Sequence, residues 1–116
     1  MNADIKAKWV AALRSGKYAQ GQFKLRDLSN RFCCLGVLCD INNSKRWKKE
    51  EHIYNFDGVG LMPDRAVCEW AGFSSAIDGS REIPCVTIDG YLDTLTNHND
   101  AGKTFAQIAD AIEEQL

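Results

Sequence analysis

The sequence predicts an α+β fold: three or four helices packed on a small, mainly antiparallel sheet. Three observations predict it. An amphipathic segment stands near each end of the chain, and an apolar run of helical length lies between them. The stretch "PCVTIDGYL" adds an alternating segment that meets a tight-turn pair, Asp89–Gly90.

Taken in order, residues 3–15 read as a helix. Ile5, Trp9, Val10 and Leu13 fall on one face, Asn2 caps the start and Gly16 supplies a left-handed stop. Phe23 and Leu25 alternate with Gln22, Lys24 and Arg26, the period of a half-buried strand, before turn chemistry at residues 27–30. In "RFCCLGVLCD" periodicity alone leaves strand and helix open. The polar "NNS" stop favours a buried helix from Cys34 to Asn42, although Gly36 costs it about 1 kcal/mol against alanine.

Residues 44–57 are the most polar and read as a surface loop or short helix, with "GVGLMP" as a short strand. "PDRAVCEWAG" reads as a two-turn helix with Pro63 in its first turn, Val67, Trp70 and Ala71 inward and Gly72 past its end. "FSSAIDGS" and "TNHND" read as loops. Thr104 and Gln107 form a capping box, after which Phe105, Ile108, Ala109 and Ile112 give a helical stripe.

The 116 residues are expected to form a single domain over 1–116, with 45% apolar and 26% charged residues. A net charge of −2 disfavours general DNA binding, which calls for a basic excess. The first ten residues lack an apolar signal core, and no run approaches the roughly 20 residues of a membrane span. With five cysteines, two of them adjacent, the expectation is reduced thiols in a cytoplasm.

Cys33, Cys34 and Cys39 lack the paired two-to-four spacing of structural zinc sites, and Cys68 and Cys85 stand apart. No metal and no cofactor is expected, and these thiols read first as small core residues. A nucleophile remains conceivable: Cys34 at a helix start has a lowered thiol pKa in prospect, with His98 as base and Asn99 or Asp100 as orienter. No cysteine-hydrolase signature accompanies them, so no catalytic residue is assigned.

No phosphate-binding loop is present, but helix starts accept anions without one. Two such starts are expected, one near Cys34 preceded by Lys24, Arg26 and Arg31, the other at Thr104 preceded by Lys103. The amides of Gln20 and Asn99 suit base edges. Candidate ligand-binding residues are therefore Gln20, Lys24, Arg26, Arg31, Asn99, Lys103 and Thr104. Trp47, in "KRWKK", is flanked by charge and reads either as a contact residue or as a ring folded back on the core. With Arg46 and Tyr54 it makes a candidate partner-contact surface.

"IKAKWVAALRSGKYAQG", "FCCLGVLCD", "LMPDRAVCEWAG" and "NDAGKTFAQIADAIEEQL", in that order, resemble a family of small accessory proteins encoded by tailed bacteriophages and prophages. Residues 43–60 and 73–92 depart from the pattern, as does His98 where an apolar residue is expected. The resemblance implies a counter-defence protein in the cytoplasm of the bacterial host and transfers no catalytic set. The leading expectation is a binder that sequesters a small phosphorylated nucleotide signal without turnover, not an enzyme, with room for a homo-oligomer. The alternatives are an inhibitor docking on a host defence protein and a cysteine-dependent hydrolase or transferase.

Overall fold

Asn2 accepts a hydrogen bond from the Ile5 N–H (3.0 Å) and starts α1 (Ala3–Arg14), whose buried face is Ile5, Trp9, Val10 and Leu13. The computed structural model describes residues 1–73 and 83–116. The "FSSAIDGS" loop expectation falls almost wholly outside them. The described residues are α+β.

A short parallel pair, β1 (Ala19–Gln20) and β2 (Arg31–Phe32), leads into α2 (Cys34–Asn43). Residues 34–39 are all buried, so "CLGVLC" is the central core helix segment. Its glycine is required there: a Cβ on Gly36 would lie 1.8 Å from the Leu25 carbonyl oxygen. A single 3₁₀ turn (Ser44–Arg46) then enters an antiparallel hairpin, β3 (Trp47–Lys49) and β4 (Tyr54–Phe56).

Asp64 caps α3 (Arg65–Ala71), which ends at Gly72 in the left-handed region. The hairpin β5 (Cys85–Ile88) and β6 (Tyr91–Thr94) turns at Asp89–Gly90, both with positive φ, as the dipeptide predicts. Helix α4 (Leu95–Asp100) follows, and α5 (Phe105–Gln115) starts with both halves of the expected capping box. One core cluster joins these elements: α1 packs on α5 and α2, and Trp9 donates from Nε1 to the Cys34 carbonyl (2.9 Å). Each fully buried large side chain here contributes about 1.5–3 kcal/mol. The ion pairs of Arg14 with Asp110 and Glu113 are solvent-exposed and add little to stability.

Several expectations are corrected. The described residues form five α-helices, one more than the upper expectation, and three separate two-stranded pairs in place of one sheet. Phe23 and Leu25 do not form a strand: Phe23 has φ +69° and is exposed, and only Arg26 makes an isolated bridge, to Phe32. The charged segment 44–57 holds a hairpin because Phe56 is fully buried and anchors it. "GVGLMP" contributes only the Val59 bridge to Phe56, and Pro63 precedes the Asp64 cap. "TNHND" is helical, since Thr94 caps it and Leu95, His98 and Asn99 face the core.

Candidate functional site

The amides expected to read a base are turned inward. Gln20 donates from Nε2 to Asn99 Oδ1 (3.0 Å) and to the Lys103 carbonyl (2.7 Å), and its Oε1 accepts from the Phe105 N–H (3.1 Å). Asn99, fully buried, donates to the Gly21 carbonyl (2.9 Å) and accepts from the Cys34 N–H (3.1 Å). Gln20, Asn99, Lys103 and the start of α5 thus do come together, as an interior clamp. Neutral partners satisfy buried amides well, which is how such a polar cluster is tolerated.

That clamp also closes both helix starts. At α2 the first N–H goes to Asn99, and the third, from Gly36, goes to the Cys33 sulfur (3.4 Å). At α5 the first goes to Gln20 and the third to Thr104 Oγ1 (3.2 Å). Thr104 is therefore a cap, and neither start presents the N–H array that an anion needs. Lys103 is engaged by Asp89 (Nζ to Oδ2, 2.6 Å).

The Cys34 reading is also corrected. Its thiol is fully buried and donates toward the Leu95 carbonyl (3.6 Å), and burial pushes its pKa well above the ordinary thiol value. Burial likewise pushes Cys33 up to about 11 and raises Cys39 further. His98 shares a hydrogen bond with the Val86 carbonyl (2.7 Å). Among the described residues no group of three or more His, Cys, Asp or Glu is placed to hold a metal.

The expected partner surface is a packed aromatic cluster. Trp47 makes edge contacts with Phe32 (5.9 Å between centroids) and Phe56 (5.1 Å) and donates from Nε1 to Asp40 (3.0 Å). The ring is folded back on the core, half-buried. Asp40 also accepts from the Tyr18 hydroxyl (2.6 Å); burial and that carboxylate push the phenol up to about 12. Arg26 lies 4.0 Å over the Tyr54 ring and is held by Asn30, so it belongs to this cluster and not to a phosphate site. Arg46 pairs with Asp57 (3.1 Å).

An open cleft of about 400 Å³ is lined by residues 20–23, by Asp27 and Arg31, and by Gly102. Of the expected ligand residues, only Gln20 and Arg31 line it; Lys24 is half-buried outside the lining. Gly21 brings its chain against Arg31, where a Cβ would meet the Arg31 Cβ at 2.9 Å. Asp27 fixes Arg31: its Oδ2 accepts from Nε (2.9 Å), and its Oδ1 accepts from the Arg31 and Ser29 N–H groups (3.0 and 2.9 Å). Partial burial pulls the Asp27 carboxyl up, but these donors outweigh it and hold the group below its ordinary value. Among the described residues neither Nη of Arg31 has a partner, so the guanidinium keeps donors for an incoming anion.

Phe23 completes the cleft. It is 67% exposed, sits at φ +69°, and is held there by its N–H to Asp100 Oδ1 (2.9 Å). A bulky residue in the left-handed region costs roughly 1–3 kcal/mol, and such strain gathers at binding sites. Gln22 and Phe23 were missed because their alternation imitates a strand, and Asp27 because it reads as turn chemistry. The Gly21 before them was the one available signal of a close approach.

The family model for a domain of unknown function (DUF8296) matches residues 1–116. The chain belongs to this DUF8296 family. No curated protein and no solved structure matches it. As a DUF8296 chain it has no described helix long and apolar enough to cross a membrane. The lining of this DUF8296 cleft presents one aromatic face, the Gln22 amide, and one guanidinium locked by a carboxylate.

Proposed function

We propose that the protein binds a small phosphorylated nucleotide in the cleft between residues 20–23 and Arg31 and holds it without turnover. The observation that carries this reading is Phe23, an exposed ring kept in a strained conformation beside a pre-oriented arginine. A base stacks on such a ring for about 1–3 kcal/mol, and phosphate takes charge-assisted bonds from Arg31. The cleft size falls within the range of small-ligand sites. The carboxylate of the lining, Asp27, already accepts from Arg31 and Ser29, which supports binding over general-base chemistry. In the phage setting that the sequence resemblance implies, such a protein removes a host signal from circulation.

The test is calorimetry of the purified protein against nucleoside phosphates, cyclic di- and trinucleotides and ADP-ribose. Binding that is lost in Phe23→Ala and in Arg31→Gln supports the reading; no binding across the panel overturns it.

A second reading, docking on a partner protein, is favoured by β6. Tyr91 and Leu92 are 75% and 71% exposed. Gln115 bonds both the N–H and the C=O of Thr87, covering the β5 edge, while the opposite edge at Leu92 has no such cover among the described residues. Capture of a host enzyme that is lost in Leu92→Lys supports this reading over the first.

A further inference from the structure

The charges around the cleft are lopsided, and their imbalance limits the ligand that it accepts. Arg31 is the cation among the described lining residues. The other cations expected to share the work are engaged elsewhere: Lys103 on Asp89, and Arg26 on the Tyr54 ring and Asn30. Lys24 stands outside the lining. Two carboxylates accompany Arg31: Asp27, in the lining and paired with it, and Asp100, outside the lining but bonded to the backbone N–H of the lining residue Phe23. Both already accept hydrogen bonds from the protein and have nothing to give an anion.

We infer that the site selects nucleotides carrying a single phosphate group and discriminates against di- and triphosphates. This rests on the cleft being the nucleotide site proposed above. One phosphate is met by the free end of Arg31 while the base covers Phe23. A second or third phosphate finds no further cation among the described lining residues and comes near Asp27 or Asp100, where like charges oppose it. A site built for polyphosphate instead gathers several cations or a metal around the chain. The Gln22 side chain is exposed and lines the same cleft, so it is the position at which a second cation can be supplied without disturbing the core.

The experiment is calorimetry with the mono-, di- and triphosphates of all four ribonucleosides at about 0.15 M salt, a screening length of roughly 8 Å. At least one monophosphate should bind about tenfold or more tightly than its own triphosphate, the scale of about 1.4 kcal/mol. In Gln22→Arg the preference should move toward the diphosphate by a similar factor, with the thermal midpoint of the free protein unchanged. A triphosphate that binds the native protein as tightly as its monophosphate overturns the selectivity and leaves the nucleotide site standing. Absence of binding by every nucleotide of this set and of the wider panel above overturns the site and the selectivity together.

Discussion

The Asn99 side chain joins the Gln20 side chain to the first turn of α2: its Oδ1 accepts from Gln20 Nε2 at 3.0 Å and from the Cys34 N–H at 3.1 Å. One buried amide thereby ties together β1, α2 and the α4–α5 corner, and it sets where residues 20–23 leave the core. Asn99→Ala leaves the Cys34 N–H and the Gly21 carbonyl without their partner. At about 1–3 kcal/mol for each unpaired group, the expected loss is about 3 kcal/mol, read from urea denaturation. A loss under about 0.5 kcal/mol contradicts the clamp.

Gly36→Ala carries opposing effects whose sizes decide the outcome. Helix propensity favours alanine by about 1 kcal/mol. Against it stands a Cβ placed 1.8 Å from the Leu25 oxygen and 2.7 Å from its carbonyl carbon, backbone that also accepts from the Cys33 N–H. Overpacking of this kind costs about 3 kcal/mol or prevents folding. The variant should unfold at clearly lower denaturant than the native protein.

The five thiols should divide sharply. Cys85 is exposed, whereas Cys33, Cys34, Cys39 and Cys68 are buried. Titration with a thiol reagent at neutral pH should give one fast equivalent in the native state and four more on denaturation. Fast modification of Cys34 in the folded protein contradicts its burial.

Asp27 makes stability depend on acidity. Its carboxyl pKa is lower in the folded state, so its contribution is complete above the unfolded value of about 4 and is lost as pH falls through the folded value. The native protein should therefore exceed Asp27→Asn in stability at pH 7, and the gap should close toward about pH 2. Paired denaturation curves across that window check the sign.

Phe23→Gly separates strain from contact. Glycine adopts φ +69° without penalty, so the variant should hold or gain about 1 kcal/mol of stability while nucleotide binding is lost. Equal loss of both assigns Phe23 to the core and not to the cleft.

Two helix starts were readable because local chemistry determines them: Asn2 and Thr104 each accept from the third N–H beyond them, and Asp89–Gly90 forms its turn within its own hairpin. Helix α4 was hidden in "TNHND" because its polar residues are buried only through distant partners, the carbonyls of Val86 and Gly21. The two-residue parallel pair β1–β2 is too short to leave a period. Among site residues, charge and residue type alone pointed to Gln20, Asn99 and Lys103, but burial and pairing decide which polar groups stay free. Arg31 was found for its charge, and Phe23 was lost because its strained backbone follows from an N–H bond to Asp100, 77 positions away.

The most direct test of the central claim is a ¹⁵N-resolved NMR titration with ribonucleoside monophosphates. Saturable shifts are expected to concentrate at Gly21, Gln22, Phe23, Arg31 and Gly102, with the β3–β4 hairpin unmoved. Saturable shifts confined to that hairpin, or no shifts with any of the four nucleotides, would contradict it.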